Sequence, residues 1–225
     1  MKISILTICP EMFESLGQDH VIERAHRLDR LKLQVVDIRS FADGCFRKVD
    51  DSPYGGGAGM ILRIDPVMKA VESVRSADEE PGRVCVAALA PVGETYCQHI
   101  ASQLAQLDHL ILICGHYEGM DARIYSHVDR IISVGDYVLS GGEIAAMAIA
   151  DSTVRLLPGV LRRQSLQEES FSGAGLEYPQ YTRPADYNGE KVPQVLLSGD
   201  HEAVARWRKE QAQALTRQLR PDLLN

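Results

Sequence analysis

The stretch that decides the fold is HLILICGHYEGMDARIYSHVDRIISVGDYVLSGGE, residues 109–143. It holds two short apolar runs, residues 110–114 and 131–134, and each is followed by a glycine and then by polar residues. This pattern predicts two buried strands, each with a loop at its carboxyl end. In an open α/β sheet the ligand crevice lies outside the carboxyl ends of the strands, so residues 115–119 and 135–142 are predicted to line one pocket.

Strand and helix patterns alternate along the chain on the N-terminal side of this stretch. Apolar strand patterns occupy residues 2–8, 31–38 and 83–89, and helical patterns lie between them. Several of these strands are unbroken apolar runs, which indicates a parallel sheet buried on both faces. The sequence therefore predicts an α/β fold in which helices cover both faces of a parallel sheet.

Three further features are predicted in and around this part of the chain. The 83–89 strand is predicted to end in a third loop, residues 89–93, and to be followed by a helix over residues 94–107. Asp65 precedes a proline and is predicted to be the N-cap of a helix that runs to about residue 76. A helix over residues 143–156 begins directly after two glycines, so its free N–H groups could face an electronegative group.

A long loop, residues 40–60, contains the glycine-rich run DDSPYGGGAGM. Glycines could let backbone N–H groups cradle a phosphate, because no Cβ keeps an anion at a distance. The run lacks the Gly-Lys-Ser/Thr of a P-loop and does not complete a G-x-G-x-x-G pattern. From spacing alone, a flexible hairpin or hinge is the favoured interpretation.

Composition indicates a globular protein that is cytoplasmic and has no membrane segment. The 225 residues are 45% hydrophobic and 24% charged, enough to bury a full core and a smaller second domain. The five cysteines show no C-x-x-C spacing and are predicted to be reduced thiols. No signal-peptide pattern occurs at the start, and no apolar run approaches ~18 residues. The seven histidines show no ligand spacing, so no metal site is predicted.

Charge is distributed unevenly along the chain. The net charge of −7 argues against a protein that coats nucleic acid non-specifically. Residues 1–154 carry 14 Lys and Arg against 22 Asp and Glu, whereas residues 155–225 carry 10 against 9. We expect a first domain over residues 1–160, a flexible polar linker over 161–175 and a small, mainly helical domain over 176–225. That last domain is expected to help hold an acidic ligand.

Six blocks of sequence occur in order over nearly the whole chain. They are PYGGGAGM (53–60), GHYEGMD (115–121), VGDYVLSGGE (134–143), PGVL (158–161), YTRP (181–184) and VLLSG (195–199). Together they closely resemble the bacterial tRNA (guanine-N1)-methyltransferases, which modify the guanosine at tRNA position 37, next to the anticodon. His116 stands where that family often has another polar or basic residue.

The resemblance implies a methyltransferase with a deep trefoil knot that acts as a homodimer, with tRNA as its partner and the active site at the subunit interface. It implies S-adenosylmethionine as methyl donor, held against the knotted loops, and a dependence on Mg²⁺. Glycines would let the chain pass closely over the donor. The cofactor-binding residues implied by the resemblance are Leu89, Ala90, Pro91, Gly115, Tyr117, Glu118, Gly119, Val134, Gly135, Asp136, Tyr137, Val138, Leu139, Gly141 and Gly142.

The resemblance also implies the catalytic residues Glu169 and Arg155. Methyl transfer to guanine N1 requires removal of the N1 proton, which a carboxylate can accept, while a cation near O6 stabilises the developing negative charge. The family typically has an aspartate where this chain has Glu169, and Glu168 is a rival for the same role. Without the resemblance, two adjacent glutamates are ordinarily solvated surface.

The tRNA-binding residues implied by the resemblance are Gly57, Gly59, Ser170, Arg183 and Arg208. Taken singly, the arginines are more often ordinary surface cations than phosphate ligands. Trp207 could stack on a base, although the single tryptophan of a small helical domain is more often part of its core. Two other functions remain open, namely a non-catalytic RNA-binding protein with this fold and a knotted methyltransferase that acts on ribosomal RNA.

Overall fold

The computed structural model describes residues 1–77, 82–173 and 175–224. The chain forms two units, Met1–Leu161 and Arg162–Asn225. Most of the polar turn expected from the sequence at residues 79–82 lies outside the described residues. None of the helices in the described part of the chain combines the length and the apolar character that a membrane span needs.

The first unit is built on a five-stranded sheet. Its strands and those of a separate two-stranded pair are β1 (Lys2–Thr7), β2 (Lys32–Asp37), β3 (Asp50–Asp51), β4 (Ile61–Leu62), β5 (Val84–Thr95), β6 (His109–Cys114) and β7 (Arg130–Ser133). The large sheet has the order β2-β1-β6-β5-β7, and all of its neighbouring strands are parallel. The predicted α/β fold with a parallel sheet is confirmed.

Helices cover both faces of this sheet. They are α1 (His20–Arg27), α2 (Ile64–Ser76), α3 (Gln98–Leu104) and α4 (Glu143–Val154), with short 3-10 helices at Pro10–Phe13, Leu16–Gln18, Ile38–Phe41 and Ala122–His127. Side chains of β6 alternate between two buried clusters, with Leu110 and Leu112 in one and Ile111 and Ile113 in the other. Helices α1, α3 and α4 pack on the first cluster and α2 packs on the second.

Strand β5 extends further than the sequence indicates. The sequence predicts an end at Leu89, but the strand continues to Thr95, and the predicted helix over residues 94–107 is reduced to α3. The pairing with β7 is interrupted, because both Leu89 and Glu94 are partners of Ile132. The predicted third loop is therefore an excursion within one strand, after which pairing resumes.

The cap of α2 and the long loop also differ from the sequence-based expectation. The N-cap of α2 is Arg63, and Asp65 lies inside the first turn, where its carboxylate accepts a 2.8 Å hydrogen bond from the Arg63 guanidinium. An acidic residue there is favoured by the helix dipole even though it is not the cap. The glycine-rich loop is flanked by the antiparallel pair of β3 and β4, so it is the turn of a short hairpin.

The second unit is mainly helical. It contains α5 (Arg163–Glu168), the antiparallel pair β8 (Asp186–Tyr187) and β9 (Glu190–Lys191), α6 (Gln194–Leu197), α7 (His201–Leu219) and a final 3-10 helix, Pro221–Leu224. Residues 161–175, expected to be a linker, thus include a short helix that belongs to this unit. Helix α7 has the bounds that the sequence predicts, and Asp200 caps it by accepting from the N–H groups of Glu202 and Ala203.

Candidate active site

Residues 89–93 within β5 and the loops that follow β6 and β7 line one cavity, which we call the three-loop cavity. These strands are neighbours in the sheet, so residues 89–93, 115–119 and 134–142 meet at the same edge. The cavity has a volume of about 320 Å³, within the roughly 300–1,000 Å³ typical of ligand pockets. The structure therefore brings together the three loops that the sequence places at strand ends.

Glycines mark two points of close backbone approach around the cavity. Gly142 N–H donates to the Gly115 carbonyl at 2.7 Å, and a Cβ on Gly142 would lie 2.8 Å from the Gly115 nitrogen. A Cβ on Gly93 would lie 2.5 Å from the backbone nitrogen of Ile132. Since real Cβ atoms do not approach backbone so closely, these positions require glycine for reasons of space.

Backbone conformation gives a second reason for glycine at other positions. Gly119 and Gly135 have φ of 141° and 154°, in the region that disfavours a side chain. Tyr117 is a non-glycine residue with a φ of 60°, which is uncommon and places its ring at the cavity wall. Burial is the main cause that raises the pKa of the Tyr117 hydroxyl, so it stays a neutral hydrogen-bonding group.

The residues that the resemblance assigns to cofactor binding all line the three-loop cavity except Asp136. Those that line it are Leu89, Ala90, Pro91, Gly115, Tyr117, Glu118, Gly119, Val134, Gly135, Tyr137, Val138, Leu139, Gly141 and Gly142. Asp136 belongs to the same loop but is not part of the lining. Its assignment has no support from the shape of the cavity.

A thiol, an imidazole and a carboxylate meet beside the cavity. Candidate ligand atoms of Cys9, His116 and Glu143 all lie within 4.8 Å of one another. Glu143 is 1% exposed, and its Oε1 accepts a 2.7 Å hydrogen bond from Thr7 Oγ1. Burial and then the Glu143 charge are the main causes that raise the pKa of the Cys9 thiol. His116 is also a cavity-lining residue, so this cluster adjoins the proposed ligand space.

The predicted catalytic residues lie in different units. Arg155 is the C-cap of α4 in the first unit and is not part of the cavity lining. Glu169 is the C-cap of α5 in the second unit, with extended backbone at φ −74° and ψ 155°. Its neighbour Glu168 accepts a 3.1 Å hydrogen bond from the Tyr178 hydroxyl and lies 3.9 Å from an Arg208 nitrogen.

The predicted tRNA-binding residues are distributed over both units as well. Gly57 and Gly59 lie in the hairpin turn between β3 and β4, both with positive φ. Ser170 Oγ accepts a hydrogen bond from the Glu177 N–H at 2.9 Å. The Arg208 guanidinium lies 4.6 Å from the centre of the Tyr178 ring. Arg183 precedes the second unit's hairpin and is exposed.

Comparison with known proteins decides the family. All of residues 1–225 match the model of the family tRNA (Guanine-1)-methyltransferase TrmD. The chain belongs to this family. It is 50% identical to the tRNA (guanine-N(1)-)-methyltransferase of Bacillus subtilis, 51% to that of Halalkalibacterium halodurans and 48% to that of Dictyoglomus turgidum. Each match covers 100% of this chain and 92%, 91% and 90% of the respective relative. The resemblance inferred from the six sequence blocks is confirmed.

Membership in the tRNA (Guanine-1)-methyltransferase family covers both units, so the second unit is as much a part of the family pattern as the first. The sequence-based assignment nevertheless missed part of the cavity lining. The lining residues outside the three predicted loops are Met120, Tyr125, Ile132, Ser133 and Ala145. Ile132 and Ser133 are the last residues of β7, so extending each loop back by two strand residues would have found them.

Proposed function

We propose that this chain transfers a methyl group from S-adenosylmethionine to N1 of the guanosine at position 37 of tRNA, and so helps to maintain the reading frame. The observation that carries the proposal is membership of the tRNA (Guanine-1)-methyltransferase family over residues 1–225. The three bacterial relatives carry the tRNA guanine-N1 activity in their names. A cavity at the edge of the sheet where β6 and β7 end, beside the excursion within β5, supports the same proposal.

The three-loop cavity suits S-adenosylmethionine in both size and lining. Bound there, the cofactor would supply a methyl group carried on a positively charged sulfur. Leu89 and Ile132 form apolar parts of the cavity wall. The glycines of the lining bring backbone N–H and carbonyl groups to its surface. Backbone groups of this kind can hydrogen-bond the edge of an adenine, and apolar walls exclude water from the reacting centre.

Glu169 is proposed as the general base. Guanine N1 carries a proton at neutral pH, so its lone pair becomes available for methyl transfer only as that proton leaves. Glu169 ends α5, where the chain turns from helical to extended backbone. The family usually has an aspartate at this position, and the glutamate of this chain is one methylene longer.

Glu168, the rival for this role, has structural contacts within the second unit. The Tyr178 hydroxyl donates to Glu168 Oε2, and the same oxygen lies 3.9 Å from Arg208. Arg208 in turn stacks against the Tyr178 ring. These contacts hold α5 against α7 within the second unit and give Glu168 a structural role.

Arg155 is proposed to stabilise the negative charge that develops at guanine O6 as the N1 proton leaves. An arginine remains protonated throughout, so it can offset that charge without taking up a proton itself. Arg155 is the C-cap of α4, where a cation is also favoured by the helix dipole. The same side chain can thus serve both the helix end and the proposed reaction.

The proposal includes the architecture implied by the resemblance, a trefoil knot in the first unit and a homodimer with the active site at the subunit interface. Two observations support it. The close approach of Gly142 to the backbone of Cys114 and Gly115 is one expected where knotted loops cross. Val92 and Val138, on two of the three loops, are 72% and 86% exposed, and a second subunit would remove this apolar surface from water.

tRNA is proposed to contact both units. The second unit would contribute Ser170, Arg183 and Arg208, and the hairpin turn would contribute Gly57 and Gly59. Arg208 has a structural role in addition, because it stacks on Tyr178. A requirement for Mg²⁺ belongs to the proposal on the resemblance alone. Loss of methylation in EDTA and its recovery on addition of Mg²⁺ would test this requirement.

The test is incubation of the protein with labelled S-adenosylmethionine and unmodified tRNA, followed by location of the methyl group by nuclease digestion and mass spectrometry. We expect 1-methylguanosine at position 37. Methylation of ribosomal RNA in place of tRNA would support the second candidate. Binding of tRNA without methyl transfer, by protein that also binds S-adenosylmethionine, would indicate a non-catalytic RNA-binding protein.

A further inference from the structure

We propose that Cys9, His116 and Glu143 form a binding site for Zn²⁺, or for a divalent ion with the same ligand preference, beside the three-loop cavity. The three residues follow β1, follow β6 and begin α4, respectively. Strands β1 and β6 are neighbours and parallel, so both end at the edge of the sheet where α4 starts. The fold therefore assembles the cluster from three distant parts of the sequence.

The atoms of the cluster lie near the separation expected of ligands that share one ion. Its candidate ligand atoms lie within 4.8 Å of one another, and His116 Nδ1 is 3.6 Å from Glu143 Oε2. Bonds of about 2.0–2.3 Å in a tetrahedral zinc site place neighbouring ligand atoms roughly 3.3–3.8 Å apart. The imidazole and the carboxylate already have this separation, and the thiol lies within 4.8 Å of both.

The environment of the His116 Nδ1 atom is evidence for a bound ion. His116 Nδ1 is buried and has no hydrogen-bond partner among the residues that the structure describes. It faces Glu143 Oε2 at 3.6 Å, which is too long for a hydrogen bond. A protonated histidine paired with a carboxylate would approach to about 2.7–2.9 Å. An orphaned nitrogen opposite a buried carboxylate is explained by an ion between them.

The surroundings hold the carboxylate in place for this purpose. Thr7 Oγ1 donates to Glu143 Oε1 at 2.7 Å, and the Cys9 N–H donates to the same hydroxyl oxygen at 2.9 Å. Oε2 is left to face His116. Ligating carboxylates in metal sites are usually fixed by such an outer hydrogen bond. Gly141 keeps the space beside Glu143 and His116 open, because a Cβ there would collide with Glu143 and lie 2.6 Å from His116 Nδ1.

The ligand set selects the class of ion. Thiolate and imidazole favour zinc and similar borderline ions, whereas Mg²⁺ prefers oxygen ligands and octahedral geometry. Three protein ligands leave a fourth position for water or another small donor. Because His116 also lines the three-loop cavity, that fourth position adjoins the space proposed for the cofactor. The metal site is independent of the proposed methyl transfer and would exist whether or not that activity does.

The experiment is a titration of the full chain, stripped with EDTA, with Zn²⁺ in competition with a chromophoric chelator and, separately, with Co²⁺. We expect one equivalent of each ion per chain and, for Co²⁺, the near-ultraviolet charge-transfer absorption of a cobalt–thiolate bond. Cys9→Ser should abolish that absorption. Both Cys9→Ser and Glu143→Gln should weaken Zn²⁺ binding by more than the roughly 10- to 100-fold that loss of an outer hydrogen-bond partner costs.

Cys45→Ser is the matched control, since Cys45 is an exposed free thiol outside the cluster. It should leave the stoichiometry, the Zn²⁺ affinity and the cobalt absorption unchanged. The proposal is overturned if the parent protein takes up no Zn²⁺ against the chelator. It is equally overturned if the cobalt–thiolate absorption survives Cys9→Ser or disappears with Cys45→Ser. The parent titration decides the matter even if a cluster variant fails to fold.

Discussion

Gly142 is where the loop after β7 touches the end of β6, and replacing it tests whether this close approach supports the cavity. In Gly142→Ala the new Cβ would lie 2.8 Å from the Cys114 Cα and from the Gly115 nitrogen. Both are backbone atoms that cannot rotate away. We expect a loss of about 1–3 kcal/mol in the free energy of unfolding, typical of overpacking, measured by chemical denaturation. S-adenosylmethionine affinity, measured by calorimetry, should fall with it.

Gly17→Ala provides the control for this substitution. A Cβ on Gly17 would meet nothing within 4 Å, and Gly17 has no positive φ. That variant should be unchanged or more stable by up to about 1 kcal/mol, because alanine restricts the unfolded chain. Equal stability and equal cofactor affinity in the two variants would mean that the backbone at Gly142 does not approach Cys114 and Gly115 as closely as described.

The proposed mechanism makes its sharpest prediction at Glu169. Glu169→Gln keeps the size of the side chain and its hydrogen-bonding reach but removes its basicity, so the methyl-transfer step should slow by roughly a hundredfold or more. Cofactor and tRNA affinities should change little, since the carboxylate is proposed to act on the proton alone. Single-turnover methylation of tRNA across a pH series measures the effect.

Glu168→Gln is the natural comparison, because the neighbouring carboxylate has the same chemistry and different partners. It should weaken the interactions with Tyr178 and Arg208 and have a mild effect on the rate. Glu169→Asp should retain much of the activity, because it restores the residue that is usual in the family. A slow Glu168→Gln enzyme beside a fast Glu169→Gln enzyme would exchange the roles of the two residues.

At the residue scale, the sequence predicts what a single type of residue can do but not which distant residues meet. Glycine at the loops indicates close approach, and Gly93 and Gly142 show it. It does not indicate the cause at each position, since Gly119 and Gly135 have positive φ whereas Gly142 has αR backbone. The grouping of a thiol, an imidazole and a carboxylate beside the cavity has no signature in local spacing.

At the element scale, strand ends were the least predictable feature. Pro91 and Gly93 are poor strand residues, so the sequence indicates an end at Leu89. The strand nevertheless resumes, because Glu94 and Thr95 find partners on β7, and the Arg130 guanidinium holds the Glu94 carboxylate at 2.6 Å. This pairing depends on a strand far along the chain. Local composition could not reveal it.

Helix α7 was predictable in full because its cap is local, and the cap can be tested. Asp200 Oδ1 accepts hydrogen bonds of 3.0 Å from the N–H groups of Glu202 and Ala203. Asp200→Ala should cost about 1 kcal/mol in helix stability, within the roughly 0.5–2 kcal/mol range for lost caps. Faster amide hydrogen exchange in the first turn of α7 would report it.

Asp200→Asn is the matched variant for this cap. Asparagine keeps the accepting oxygen and is an equally good N-cap residue, so exchange in the first turn should stay close to that of the parent. If Asp200→Asn were as damaging as Asp200→Ala, the negative charge would matter more than the hydrogen bonds. The assignment of Asp200 as a side-chain cap would then be wrong.

At the scale of the whole molecule, unbroken apolar strands were sufficient to predict the parallel sheet. Such strands are stable only when both faces are covered, and the alternating side chains of β6 enter two separate buried clusters. A knot has no such signature, because general rules of chain topology argue against threaded loops. The knot is proposed on the basis of the family, and sequence patterning by itself would predict an unknotted fold.

Charge is the other property of the whole chain that bears on function. Residues 155–225 carry 10 Lys and Arg against 9 Asp and Glu, in a chain whose net charge is −7. On α7, Arg206 and Lys209 are exposed, whereas Arg208 is half-buried and stacked on Tyr178. Arg206 and Lys209 are therefore the residues to change when phosphate binding is to be tested without disturbing the packing of the second unit.

The double variant Arg206→Glu, Lys209→Glu should weaken tRNA binding and flatten its salt dependence, by roughly one unit of slope for each phosphate that the variant no longer neutralises. S-adenosylmethionine affinity should stay the same, because the three-loop cavity belongs to the first unit. Arg24→Glu, Arg27→Glu on α1 makes the same charge change at exposed positions of the first unit and should have little effect. Filter binding of tRNA at several salt concentrations compares the two. Equal losses of affinity in both would show that overall charge, and not a surface on α7, governs tRNA binding.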